Sequence, residues 1–182
     1  MSRALSKLKA RATQVHYGLA RHGLRSGDLI AQSHGDWDSF NGVLVLGVRV
    51  FTVSTYSHVG VIEVDPKDGH VYVVEAVRPR SHRVLLSSIG DFYHLPMRAH
   101  WTYATSKYVR SILGTVYKRW DAIRAFFRPL PAGTVTECAA LVREVMLRAG
   151  VDLGPMSRPD SVVRRALELG SSITFVRNGG NR

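Results

Sequence analysis

Two apolar runs, Tyr56-Ser57-His58-Val59-Gly60-Val61-Ile62 and Val71-Tyr72-Val73-Val74-Glu75-Ala76-Val77, flank the segment Asp65-Pro66-Lys67-Asp68-Gly69. β-branched and aromatic residues fill both runs. The segment between them holds residues that reverse a chain: proline presets φ, aspartate bonds nearby backbone, and glycine accepts a positive φ. This pattern predicts an antiparallel hairpin, and a hairpin fixes which side chains meet. With the turn centred on Pro66 and Lys67, residues whose numbers sum to about 133 face one another, which pairs His58 with Glu75. A one-residue bulge at Gly69 would move the partner by one position. Glu75 interrupts an apolar strand, where an unpaired charge is costly, and His58 supplies its partner.

Further strands and a set of helices follow from the same kind of reading. Leu24-Arg25-Ser26-Gly27-Asp28-Leu29-Ile30-Ala31 reads as a turn feeding a short strand. Arg83 to Leu86, Tyr93 to Arg98 and Ser172 to Val176 read as strands. Helical patterns cover Thr102 to about Leu113, Trp120 to Phe127, Glu137 to Ala149 and Pro159 to Leu169, and the last two are followed by Gly150 and Gly170, as C-cap logic expects. The apolar run Val43 to Val48 fits helix or strand equally. The expected class is α+β, with an antiparallel sheet packed against helices in a single domain, since 182 residues with 45% hydrophobic content can bury one sizeable core.

Cys138 is the only cysteine, which excludes an intrachain disulfide framework and a cysteine-rich zinc site. It stands at a helix start, in Thr134-Val135-Thr136-Glu137-Cys138-Ala139-Ala140-Leu141-Val142, just after the breakers Pro129, Pro131 and Gly133. A thiol there feels unpaired backbone N–H groups and the positive end of the helix dipole, both of which favour thiolate. Cys138, His58 and Glu75 therefore form a candidate set in which the thiolate attacks, the imidazole moves the proton and the carboxylate orients the imidazole. His34, Asp36 and Asp38 alternate in a polar, glycine-bearing segment that reads as a turn or cleft rim, so no metal and no cofactor is expected. The glycines lack phosphate-binding spacing and no nucleic-acid motif accompanies the basic charge, so specific nucleic-acid binding is not expected either.

The net charge is +11, and six of those charges come from residues 1 to 25, where Arg3, Lys7, Lys9, Arg11, Arg21 and Arg25 meet no acidic residue. Leu5, Leu8, Ala12, Val15 and Leu19 recur at helical spacing through the same stretch. The expectation is a basic amphipathic helix over residues 3 to 22, forming an appended arm (1–23) before the body (24–177) and a polar tail (178–182). Such an arm suits an anionic cell wall, a membrane surface or an assembly partner. With apolar residues dispersed among charges at the N-terminus and no membrane-length segment, the chain reads as soluble, either cytoplasmic or delivered as a virion component.

Four blocks taken in order resemble the circularly permuted papain-fold cysteine hydrolases, related to NlpC-type cell-wall peptidases and to lecithin:retinol acyltransferase. They are the strand entry Leu24 to Ile30, then Ser57-His58-Val59-Gly60-Val61, then Val74-Glu75-Ala76, and finally Glu137-Cys138-Ala139-Ala140-Leu141-Val142. Gly114, Tyr117 and Asp121 are similar to residues that precede the family's cysteine helix, and Ser157-Arg158-Pro159-Asp160-Ser161 resembles the helix start after it. The resemblance implies a permuted papain-like fold and attack by Cys138 on an amide or ester carbonyl. It implies an oxyanion met by the Cys138 backbone N–H and a polar neighbour, for which Tyr117 is the candidate. Where relatives often read Tyr/Phe-Cys-Ser-Glu/Gln-Leu-Val, this chain has Glu137 before the cysteine and Ala139-Ala140 after it, a departure that bears on substrate class. The activity implied is cleavage of an amide bond in peptidoglycan stem peptides, by a bacterial or a phage virion-associated hydrolase. An N-acyl amidase or acyltransferase acting on lipid-like substrates is the alternative enzyme. A non-catalytic structural or adaptor protein, as in a virion, is the alternative outside enzymes.

Overall fold

The computed structural model describes residues 13–33, 56–77, 80–116, 137–155 and 158–179. The hairpin is present: β3 (His58–Val64) and β4 (Val71–Val77) run antiparallel, with Val61 opposite Val74 and Val64 opposite Val71. Its turn is centred between Lys67 and Asp68, later than the sequence pattern suggests. Asp65 and His70 close it, with the Asp65 N–H donating to the His70 carbonyl at 2.9 Å and the Gly69 N–H to the Asp65 carbonyl at 2.9 Å. The carboxylates of Asp65 and Asp68 accept from the N–H groups of Lys67 (3.0 Å) and His70 (2.8 Å), and Gly69 takes φ +70°. The shift moves the residue facing His58 by two positions. Because two residues are one full strand period, His58 and Glu75 stay on the same side as diagonal rather than directly opposed neighbours.

The hairpin belongs to a seven-stranded sheet. Its other strands are β1 (Thr13–His16), β2 (Leu29–Gln32), β5 (Arg80–Leu85), β6 (Phe92–Leu95) and β7 (Thr174–Arg177), in the spatial order β1-β7-β6-β2-β3-β4-β5. Every pairing is antiparallel except β1 with β7. Four helices accompany it among the described residues: α1 (Tyr17–Ala20), α2 (Tyr103–Ile112), α3 (Cys138–Arg148) and α4 (Pro159–Glu168). Thr102 caps α2 with a reciprocal box to Thr105, and Pro159 opens α4 where its missing N–H costs nothing. The class is thus α+β, as the element pattern implies.

Alternation along the strands builds two cores. Leu29, Ala31, Val59, Val61 and Val74 join Leu141, Val142, Val145, Val162 and Val163 of α3 and α4 on one face, whereas Ile30, Ile62, Val73, Phe92 and Val176 gather on the other with Leu24 and Leu86. Gly60 lies where β2, β3 and β4 pack too closely for a side chain. A Cβ there would come within 2.6 Å of Val73 Cγ2 and 3.2 Å of the Val74 carbonyl. Asp28, buried at the entry to β2, accepts from the backbone N–H groups of Arg25 (3.0 Å) and Met97 (2.9 Å) and from His94 Nε2 (2.9 Å). It ties the strand entry to the end of β6.

Several boundaries depart from the sequence reading. Among the described residues, the expected helix over residues 3–22 has an α-helical turn at Tyr17–Ala20, whereas residues 13–16 form β1, paired in parallel with β7; residues 1–12 lie outside the described set. Tyr17 and Ala20 pack on the second core, and Leu19, expected on the apolar face of an appended helix, is 76% exposed. Part of the expected arm thus lies on the sheet, through the β1–β7 pairing and the packing of Tyr17 and Ala20. Strand β5 starts at Arg80 rather than Arg83, and β6 ends at Leu95, before Pro96. At the start of the polar tail, Asn178 is buried, with Nδ2 donating to the carbonyls of Leu86 (2.8 Å) and Ile89 (2.7 Å). The segments 43–48 and 120–127 lie outside the described residues.

Candidate active site

Three consecutive strands and one helix start converge on a cluster of ionisable side chains. His58 opens β3, Glu75 lies on β4, and His82 on β5 stands directly opposite Glu75. The Glu75 carboxylate bonds both rings, with Oε2 2.6 Å from His58 Nε2 and Oε1 2.9 Å from His82 Nε2. Its side chain is 7% exposed, against 17% for His58 and 38% for His82. Helix α3 packs across β3 and β4 and brings its first residue, Cys138, to this row. Cys138 is partly buried, and its sulfur is hydrogen-bonded to the His58 ring. With Nε2 held by Glu75, Nδ1 is the ring nitrogen left to serve the sulfur.

Charges in this cluster support one another. Burial pulls His58 down, but the Cys138 sulfur and the Glu75 carboxylate outweigh it and push its pKa up to about 10. Burial pushes the Cys138 thiol up, yet the adjacent imidazolium, together with backbone N–H donors from Val59 and Ala139, brings it below the ordinary thiol value. Both directions favour a thiolate–imidazolium pair at neutral pH. Burial raises Glu75 too, but its bonds to His58 and His82 hold it below the usual carboxylate range. An ionised carboxylate only accepts, so both imidazoles donate to it.

Glu137, the N-cap residue of α3, makes no side-chain cap bond. Its Oε1 is buried with no hydrogen-bond partner among the described residues. Burial and the negative sulfur of Cys138 push this carboxyl up to about 9, against the pull of Arg158. The carboxyl directly before the Cys138 sulfur is thus shifted towards its neutral form.

The structure thus brings together Cys138, His58 and Glu75. Tyr117, proposed from the sequence as an oxyanion neighbour, lies outside the described residues, as do His34, Asp36, Asp38 and Asp121. No cluster of three His, Cys, Asp or Glu residues suited to a metal ion occurs among the described residues. No described helix is long and apolar enough to cross a membrane. His82 escapes the sequence reading because the strand pattern starts at Arg83, one residue after it, whereas β5 begins at Arg80 and sets His82 opposite Glu75. Compared with models of known protein families and with curated proteins, the chain matches none.

Proposed function

We propose that this protein is a cysteine hydrolase that opens an amide bond through a thioester, with peptidoglycan stem peptides as its substrate class. The observation that carries the reading is His58, bonded on one side to the sulfur of Cys138 at a helix start and on the other to a buried carboxylate. In the first step the Cys138 sulfur forms a bond to the carbonyl carbon, and the resulting oxyanion is met by the Cys138 backbone N–H at the start of α3. The C–N bond then breaks as His58 gives its Nδ1 proton to the leaving amine. In the second step His58 takes a proton from water, whose oxygen attacks the thioester. The C–S bond breaks, the acid product leaves, and the thiolate–imidazolium pair is restored. Throughout, Glu75 keeps the His58 ring oriented and balances its positive charge. The permuted papain-like arrangement is the family frame for this chemistry, and the basic N-terminal residues favour an anionic wall as the surface on which it acts.

The test is digestion of purified muropeptides followed by mass spectrometry. The wild-type protein should release a new amine and a new carboxylate from a stem-peptide bond, and Cys138→Ala should abolish that release while keeping the wild-type circular dichroism spectrum. Equal cleavage by the two proteins would reject cysteine catalysis. Rapid thiol alkylation without cleavage of any muropeptide would reject the substrate class.

A further inference from the structure

We infer that His82 is a positioning residue of the same site, acting on His58 through Glu75; this inference rests on the cysteine-hydrolase reading. A glutamate carboxylate turns readily about its last torsion, whose energy wells are broad. Held by a single bond, Glu75 could swing its second oxygen away from the plane that best serves the His58 ring. His82 removes that freedom by donating from Nε2 to Oε1 at 2.9 Å while His58 Nε2 takes Oε2 at 2.6 Å. The strand register enforces the arrangement, because Glu75 and His82 are direct cross-strand partners on β4 and β5.

The same bond has an electrostatic consequence. A carboxylate with a 7% exposed side chain keeps its charge only if donors replace the water it has lost, and the two imidazoles are those donors. Without His82, burial would raise Glu75 against a single donor, its negative charge would weaken, and His58 would lose part of the partner that keeps it protonated beside Cys138. His82 itself lies on the edge strand β5 and is 38% exposed.

Three proteins test the role: wild type, His82→Phe, which removes the donor, and His82→Gln, whose amide nitrogen reaches to about the position of Nε2. The measurements are the alkylation rate of Cys138 by iodoacetamide at pH 7, kcat and KM for the small acyl donor p-nitrophenyl acetate, and Tm. A charge-assisted hydrogen bond lost from the orienting group is expected to lower alkylation and kcat by roughly tenfold in His82→Phe, with KM changed less than about twofold, and His82→Gln is expected to return both to within about threefold of wild type. Should His82→Phe not fold, His82→Asn, whose shorter amide falls short of Oε1, takes its place. Unchanged alkylation and kcat in the donor-less variant would overturn the inference, as would a folded His82→Gln protein as slow as His82→Phe. A wild-type Cys138 that alkylates no faster than an ordinary thiol would instead bring down the cysteine-hydrolase reading, and the role of His82 with it.

Discussion

Replacing Glu137 by glutamine should stabilise the protein, and the gain should grow with pH. In the folded chain the carboxyl is held up at about 9, whereas the unfolded reference lies at 4.5. Between these values the folded state binds a proton that the unfolded state has released, so wild-type stability falls as pH rises through this window. Each pH unit above the unfolded value costs the folded state about 1.4 kcal/mol, which amounts to about 3 kcal/mol at pH 7. Glutamine has nearly the same shape and never ionises, so it escapes that cost. Any change in hydrogen bonding that the amide introduces is constant with pH and separates cleanly. The assay is urea unfolding of the reduced wild type and Glu137→Gln at pH 5, 6, 7 and 8, taking the difference at each pH so that all other groups cancel. The difference is expected to widen by about 1 kcal/mol or more per unit in favour of the variant. A difference that stays flat with pH, or that moves against the variant as pH rises, would refute the claim that Glu137 is buried as a neutral acid.

Three further outcomes follow from the geometry. His58→Ala removes the imidazolium that lowers the Cys138 thiol; with only a few per cent of an ordinary thiol ionised at pH 7, alkylation by iodoacetamide should slow on the order of tenfold, and a rate equal to wild type would deny the ion pair. Gly60→Ala would drive a methyl into Val73 and the Val74 carbonyl between tightly packed strands, so urea unfolding should show a loss of about 2 kcal/mol or more, with no loss meaning that the strands part easily there. Removing residues 1–22 takes away β1 and the edge contact of Tyr17 with Phe92, and should lower Tm by about 5 °C or more relative to removing residues 1–12, a gap that vanishes if the N-terminal strand is dispensable.

What was legible in the sequence depended on locality. The β3–β4 hairpin, the helix start at Cys138 and the glycine-terminated ends of α3 and α4 are each signalled within a few residues of where they form. Strand β1 is not, because its partner is β7 at the far end of the chain, and pairing at that separation leaves no local trace. The helical spacing of Val15 and Leu19 was therefore read as a stripe, although Val15 pairs with Val176 and Leu19 is exposed. Among the site residues, His58 and Glu75 were legible from the hairpin alone. Glu137 was not legible as a raised acid: a carboxylate at a helix N-terminus normally gains from the dipole, and the burial seen in three dimensions, with the neighbouring Cys138 sulfur, reverses that preference.

The hairpin register explains why His58 and Glu75 meet although the turn is centred one residue later than the sequence pattern suggests. Strand faces repeat every two residues, so an even displacement exchanges a direct neighbour for a diagonal one and preserves the side on which both side chains stand. An odd displacement would have put Glu75 on the far side of the sheet from His58. The β4–β5 register then adds His82 to the same side, giving an imidazole–carboxylate–imidazole row across three adjacent strands. Cys138 meets one end of that row, where β3 supplies both the His58 ring and, from the next residue, the Val59 N–H that reaches the sulfur. The position of the sulfur is thereby coupled to the same strand that carries its proton partner. A change in the packing of α3 would disturb the thiolate, whereas a change in the β4–β5 pairing would act first on the carboxylate, two hydrogen bonds away from the reacting atom.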